Sequence, residues 1–430
     1  MILASVFLYS HKIPFPGASA LLPTLGTALI VYTGVEMRSL IGNFLSLPPL
    51  VFIGKISYSL YLWHWPIIIF GKYYAIREAT GMDMLVWVLA SFAISTLSWR
   101  LIEVPFRSQT FLPKPRIFLL AGSIMTLTFL VSGAIYFNDG IPKRFENAQM
   151  AALAKSDLQW RRWKACSNEQ IKNPEDFFVC DLGTESTDPE FVLWGDSHAR
   201  ALATAVDTSA QKEGVSGRLI TLSACPPLLG VDRTDIKFCY QYNESVIQYI
   251  ETHPELETVI LAGRWALSAN GERYKTEEES NVELIDVLSS EQSGTNAQIF
   301  EIGINRTVER LIELNRNVVI VMPIPEVGYD VPSSYTIAFR TGRDLNEIIA
   351  PTFDEYAQRN QIVNSVLFKM MNHYDVLLIN PAATLCDQSI CKVVVDGRPL
   401  YRDGNHLSTF GSLLISSLFD SFFSTMALSQ

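Results

Sequence analysis

Charge is scarce in this chain: 18% of its 430 residues are Asp, Glu, Lys or Arg, where about 25% is usual for a soluble domain. The scarcity is local. Up to Phe137 there are nine Lys/Arg, four Asp/Glu and no cysteine, which leaves 25 basic residues, 40 acidic residues and all six cysteines to the remainder. A remainder of net −15 is a poor polyanion binder, so no nucleic-acid partner is expected. The near-absence of charge before Phe137 excludes an ordinary water-soluble fold there. No basic, cleavable leader opens the chain either. The sequence also has no C-x-x-C, no internal repeat and no low-complexity tract. The part after Phe137 is long enough to bury a full core of its own.

Long apolar runs supply what the first part has in place of charge. Four are close to the ~20 residues a bilayer requires: 18–34, 49–70, 84–101 and 117–137. Pro23 and Gly26 interrupt the first, which suits packing inside a bundle. A fifth run, 2–9, is too short to cross. The chain thus opens in mid-helix, and earlier spans are expected to be missing or supplied by another subunit. Arg38, Lys55, Arg100, Arg107, Lys114 and Arg116 fall on one side of these spans, and Lys12, Lys72 and Arg77 on the other. That bias puts the 100–116 linker in the cytoplasm and everything after the last span outside.

The cysteines point the same way. They fall as Cys166/Cys180, Cys225/Cys239 and Cys386/Cys391, three short loops suited to an oxidising compartment. Six cysteines allow fifteen pairings, of which nearest-neighbour is the expectation. A zinc site is the rival, but the histidines are scattered and no metal is expected. The resulting picture is a multi-pass membrane protein, with the lipid bilayer as partner and a soluble domain that is periplasmic or extracellular.

Residues 56–66 read ISYSLYLWHWP. Tyr58, Tyr61, Trp63 and Trp65 fit an interfacial aromatic belt. His64 and the pair Arg100/Glu103, one helical turn apart, are ionisable groups that either line a cavity at membrane depth or sit at the interface. FPGASALLPTLGTALIV, ISYSLYLWHWP and WRLIEVPFR resemble, in that order, the final spans of the membrane acyltransferase-3 family, over about 1–107. The resemblance implies movement of acetyl groups across the membrane onto carbohydrate acceptors, with acetyl-CoA as ultimate donor and Tyr58, His64, Arg100 and Glu103 as motif residues. That family's catalytic His and donor-binding Arg residues lie in earlier spans. His11 has no such surroundings, so no cofactor is assigned to this chain.

After a polar connector over 138–189, strand-like runs appear at 191–194, 218–222, 258–262, 318–322 and 376–379. Helix-period stretches at 199–212, 244–251, 302–315, 350–372 and 409–426 alternate with them. Such alternation predicts an α/β domain over 190–430, a parallel sheet flanked by helices, behind a partial α-helical transmembrane bundle over 1–137. The acidic run 277–283 is read as a solvated loop.

Ligands of such sheets sit beyond the carboxyl ends of the strands. There the chain reads FVLWGDSHARAL: Gly195 allows a tight turn and Ser197 falls at a helix N-terminus, where free N–H groups favour a developing oxyanion. A serine needs a base, and YRDGNHL near the other end provides His406 with Asp403 three residues before it. Each segment alone is also an ordinary turn or cap. GDSH, ACPPL, AGRW and D-x-x-H-L, in order over about 191–423, resemble the sequence blocks of the SGNH hydrolase superfamily, in the variant fused to acyltransferase-3 domains. The resemblance implies Ser197 as nucleophile, His406 as general base and Asp403 as its orienter, with an oxyanion donor near Ser223–Ala224. Arg264 stands where the usual third-block Asn would be, and either holds the oxyanion, holds an acid group of the acceptor, or makes a structural salt bridge. His198 reads as a supporting residue, and His253 and His373 as structural.

An O-acetyltransferase acting on a cell-surface polysaccharide, of the lipopolysaccharide O-antigen type, is the function expected. Trp194, Trp265 and Tyr401 are available to line a sugar-binding cleft or to pack the core. A carbohydrate O-acetyl esterase shares the same acyl-enzyme, and a truncated, membrane-anchored, non-catalytic fragment is the third reading.

Overall fold

The computed structural model describes residues 1–9, 13, 17–36, 40–107, 113–138, 162–163, 165–166, 173, 176–185, 188–236, 238–277, 281–289 and 294–428. His11, Lys12, Arg38 and most of the 138–189 connector lie outside the described residues. Two compact units are present, Met1–Ala75 with Ala79–Tyr136, and Ile76–Glu78 with Phe137–Gln430.

The first unit is helical, with its longer helices at Leu21–Glu36, Pro48–Ala75, Gly81–Ser98 and Lys114–Phe137. Among the described residues, two stretches are long and apolar enough to cross a membrane, Gly81–Arg107 and Pro115–Phe137. The expectation of four spans is therefore reduced to two. Leu21–Glu36 has 16 residues and would reach about 24 Å at 1.5 Å per residue, short of a ~30 Å hydrocarbon core. Pro48–Ala75 has 28 residues, but Lys55, His64, Lys72 and its Tyr and Trp residues dilute its apolar character. Thr80 and Asp83 form a capping box at the start of Gly81–Ser98, satisfying two N–H groups that the first turn leaves open. Gly71 lets the two central helices close up: a Cβ there would come within 2.5 Å of the Trp87 ring.

In the second unit the strands, in chain order, are β1 (Cys180–Gly183), β2 (Phe191–Gly195), β3 (Ser216–Thr221), β4 (Val231–Arg233), β5 (Thr258–Ala262), β6 (Leu284–Asp286), β7 (Asn317–Val321), β8 (Leu377–Ile379), β9 (Val394–Val395) and β10 (Arg398–Pro399). Six form one sheet in the order β1-β3-β2-β5-β7-β8. All its pairings are parallel except β1 against β3. The edge strand β1 comes from the stretch read as connector. β4/β6 and β9/β10 are separate antiparallel pairs.

Every residue of β2 is buried, because helices cover both faces of the sheet. Period-two alternation sends Phe191 and Leu193 to one core, with Leu202, Val206, Phe419 and Phe423. Val192 and Trp194 go to the other, with Tyr242, Val246, Phe300 and Ile304. Two expected helices are each split. Residues 350–372 become Phe353–Arg359 and Gln361–Tyr374, with Asn360 at φ −102°, ψ 8° between them. Residues 409–426 become Thr409–Leu414 and Ser417–Leu428. Apolar periodicity continues through both breaks, so pattern alone does not reveal them. The cysteines pair as Cys166–Cys180, Cys225–Cys239 and Cys386–Cys391.

β2 is flanked along its whole length by β3 on one side and β5 on the other, so the chain leaves it toward one edge of the sheet and later returns to build toward the other. This is the switch point at which such sheets bind ligands. The crossing is tight. A Cβ on Gly195 would lie 1.7 Å from the Ala262 carbonyl oxygen and 2.7 Å from Ala199 Cβ. Gly195→Ala is therefore expected to destabilise the protein by about 3 kcal/mol or more through forced backbone displacement, read as a lowered Tm of the full chain in detergent; an unchanged Tm would contradict this packing.

Candidate active site

Ser197 opens the helix Ser197–Glu213 directly after β2, with Asp196 as its N-cap. Asp196 is 2% exposed. Its Oδ1 accepts from the His198 N–H at 2.7 Å and its Oδ2 from the Arg264 N–H at 2.8 Å. One carboxylate thus satisfies one of the open N–H groups of the helix's first turn and ties the helix to the turn after β5. Burial pushes the Asp196 carboxyl up from its ordinary value, against the pull of those two N–H donors. The motif by itself suggests only a turn residue at Asp196. Its second bond needs a residue 68 positions away and leaves no local signal.

The base comes from a closed loop near the other end. Tyr401 and Leu407 bridge its neck, and the Arg402 N–H donates to the His406 carbonyl at 3.0 Å. Inside it, Asp403 Oδ1 accepts from the backbone N–H of Asn405 at 3.0 Å and of His406 at 2.8 Å. The Gly404 carbonyl accepts from the N–H groups of Val327 and Gly328, both at 2.9 Å. Asp403 Oδ2 lies 2.8 Å from His406 Nδ1, and His406 Nε2 lies 2.7 Å from Ser197 Oγ. Burial opposes ionisation of Asp403, but His406 and the two backbone N–H groups outweigh it and hold the carboxyl far below its usual range. An ionised carboxylate only accepts, so Nδ1 carries the hydrogen and Nε2 is left to accept from the serine hydroxyl. The structure brings Ser197, His406 and Asp403 into one line of hydrogen bonds.

These side chains border a cleft of about 420 Å³ shared with Ala224, Arg233, Arg273 and Glu277, among others. Ala224 has φ +63°, which costs a non-glycine residue of order 1 kcal/mol or more and calls for outside restraint. Restraint is present. The Ala224 carbonyl accepts from Arg233 Nη1 at 2.7 Å, Cys225 is cross-linked to Cys239, and the Pro226 carbonyl accepts from Asn243 Nδ2 at 2.9 Å. Ser223 behaves differently: its hydroxyl accepts from Arg200 Nη2 at 2.8 Å.

Of the three roles open to Arg264, the geometry supports the structural one. Its Nη2 reaches both Glu277 oxygens, at 2.6 and 2.9 Å, and its Nε donates to Glu326. Glu326 is 4% exposed and also accepts from Arg359 Nε at 2.7 Å. Burial alone would raise the Glu326 carboxyl, yet the two guanidiniums hold it below its ordinary value. Glu277, read as part of a solvated run, is drawn inward; residues 278–280 of that run are outside the described residues. Trp194, Trp265 and Tyr401 are 0%, 1% and 1% exposed. They pack the core, and none of them is among the residues that line the cleft at Ser197. The Trp265 Nε1–H goes instead to the Val321 carbonyl at 2.8 Å.

In the helical unit, Glu103 accepts from Ser59 Oγ at 2.9 Å and from Arg107 Nη1 at 3.1 Å. The partner expected for it, Arg100, is exposed on the π-turn Trp99–Glu103. That turn shifts the register, so Arg107 rather than Arg100 meets the carboxylate. His64 Nδ1 lies 2.9 Å from the Leu60 carbonyl oxygen and is satisfied within its own helix. Tyr58 is exposed.

The sequence matches the family described as the SGNH domain fused to AT3 domains over residues 165–421. Two curated relatives are an O-acetyltransferase OatA of Staphylococcus aureus strain MRSA252, 33% identical over 29% of this chain and 22% of that protein, and OatA of strain NCTC 8325, 37% identical over 24% and 20%. The chain thus covers about a fifth of the length of these relatives. A solved structure, the periplasmic domain of a lipopolysaccharide acetyltransferase of Salmonella ser. Paratyphi A, is 16% identical with a TM-score of 0.44, covering 63% of this chain and 98% of that one.

The charges of the site set two measurable outcomes. Because the folded-state value of Asp403 is depressed, its contribution to stability is complete above the ordinary carboxylate range, about 3.9, and is lost as pH falls through the lower folded value. Asp403→Asn should flatten the fall of Tm below about pH 4; an acid limb identical to wild type would contradict the bonding described. Arg264→Met leaves Glu326 and Glu277 short of a partner and should cost about 3–5 kcal/mol in thermal unfolding, a cost that an idle surface arginine would not show.

Proposed function

The chain belongs to the family of SGNH domains fused to AT3 domains, and we propose that it transfers acetyl groups to a hydroxyl of a cell-surface polysaccharide, of the lipopolysaccharide O-antigen type. The observation that carries this is the Ser197–His406–Asp403 line at the switch point of the sheet; the naming of the matched relatives as O-acetyltransferases adds to it. Ser197 is the nucleophile, His406 the general base and Asp403 its orienter. Ser197 Oγ attacks the carbonyl carbon of an acetyl donor while His406 Nε2 takes its proton, and the leaving group then carries that proton away. The acetyl group remains as an ester on Ser197. A sugar hydroxyl next gives its proton to Nε2 and attacks the ester, and Ser197 recovers the proton as it leaves.

The tetrahedral oxyanion is best met by the Ser197 N–H at the helix N-terminus and by the backbone N–H at Ala224, whose loop is held by Arg233 and the Cys225–Cys239 cross-link. Pre-organisation of that kind avoids reorganisation during the reaction. Acetyl-CoA is the ultimate donor in this reading. Its acetyl group reaches the outer face through the membrane unit, together with further spans or another subunit that supplies acetyl groups. The α/β unit works in the periplasm, which suits three disulfides.

Hydrolysis of the same acyl-enzyme would make the protein an esterase. Burial of Trp194, Trp265 and Tyr401 withdraws the aromatic lining that would have sheltered the ester from water. The two outcomes separate when the full chain is incubated with a chromogenic acetyl ester, with and without added oligosaccharide. Acetylated sugar is expected; free acetate alone would contradict transfer. Ser197→Ala should lower the rate by a factor on the order of 10³ or more, and a rate equal to wild type would discard the serine mechanism.

A further inference from the structure

His198 and Asn405 each stand one residue from the reacting pair, and both are buried, at 2% and 9% exposure. His198 Nε2 lies 3.1 Å from Asn405 Oδ1. The amide orientation is fixed from its other end: Asn405 Nδ2 donates to Glu277 Oε1 at 3.0 Å, and a carboxylate only accepts. Oδ1 therefore faces His198, and His198 Nε2 must carry the hydrogen. Burial first, then the nearby His406 and Arg264, hold His198 well below the usual imidazole range, so it is a neutral donor. Its ring packs on that of His406, with centroids 4.6 Å apart.

Two rungs thus join the nucleophile helix to the base loop, Ser197 with His406 and, beside it, His198 with Asn405. The first rung cannot last through the reaction. Once Ser197 Oγ is bonded to an acyl carbon it has no hydrogen to give Nε2, and an acceptor hydroxyl must enter between them. We propose that the His198–Asn405 hydrogen bond is a latch that keeps the His406 loop against the nucleophile helix during the acyl-enzyme stage, and that both are positioning residues. The latch rests on the serine mechanism proposed above. It is anchored outward through Glu277 to Arg264, whose backbone N–H returns to Asp196 and so to the start of the same helix.

The test uses the full chain in detergent with the chromogenic acetyl ester, and the far-downfield proton resonance of His406 Nδ1–H. His198→Ala and Asn405→Ala should each lower kcat about 10- to 100-fold with little change in KM. The double variant should be no slower than either single, because both remove one bond. His198→Gln, whose amide nitrogen reaches close to the former Nε2, should recover most of the loss. In His198→Ala the Nδ1–H resonance should broaden by solvent exchange, and in His198→Gln it should return. Single effects that multiply in the double variant, a His198→Gln as slow as His198→Ala, or an unaltered resonance in His198→Ala would each overturn the latch. If His198→Ala does not fold, Asn405→Ala and His198→Gln carry the same comparison. Should Ser197→Ala hydrolyse the ester like wild type, the serine mechanism fails and the acyl-enzyme role of the latch falls with it, whereas a failure of the latch alone leaves Ser197→Ala inactive and shows in the resonance of His198→Ala.

Discussion

A single hydrogen bond, 2.7 Å from Ser197 Oγ to His406 Nε2, spans 209 positions of chain, and most of the α/β unit can be understood as the means of holding its two ends. Ser197 is placed by the close crossing of β2 and β5 at Gly195 and by Asp196, which caps the helix and reaches across to the next turn. His406 is placed by a closed loop whose carboxylate, Asp403, takes both the ring nitrogen and two backbone N–H groups. Each end is held by bonds other than the one between them. The bond is therefore free to be broken and remade during turnover.

Behind the cleft runs a chain of charged groups that is mostly internal to the protein. Arg264, Glu277, Glu326 and Arg359 satisfy one another, with Glu326 shared between two guanidiniums. Such buried pairs seldom add net stability over apolar packing, but removing one member is costly. Their value here is positional: the network fixes the wall of the cleft and orients Asn405. A guanidinium committed to two carboxylates has little to offer an oxyanion, so the restrained loop at Ala224 is the better source of the second donor.

Much of the architecture is legible in the chain. All five parallel strands fall within about two residues of the runs that suggest them, because strands buried on both faces read as continuous apolar stretches. The segments GDSH and DGNH can be paired because a parallel sheet sends strand ends to one edge. Other features leave no local trace. The partners of Arg264 lie 13 and 62 positions away. The breaks at Asn360 and Ile415 interrupt helices whose apolar period runs on. Trp194 and Trp265 are aromatic in either role, and only burial decides between cleft and core. Among the membrane helices, the dilution of Pro48–Ala75 by Lys55, His64 and Lys72 is visible in the sequence, but the length of the run outweighs it.

Every chemical step described requires that Ser197 carry the acyl group. Acid quench of the full chain during steady-state turnover of an acetyl ester, followed by proteolysis and tandem mass spectrometry, reads this directly. The expected result is an acetyl group on the Ser197 hydroxyl, absent when the ester is omitted. Turnover with Ser197 unmodified and the acetyl group on another side chain would contradict it.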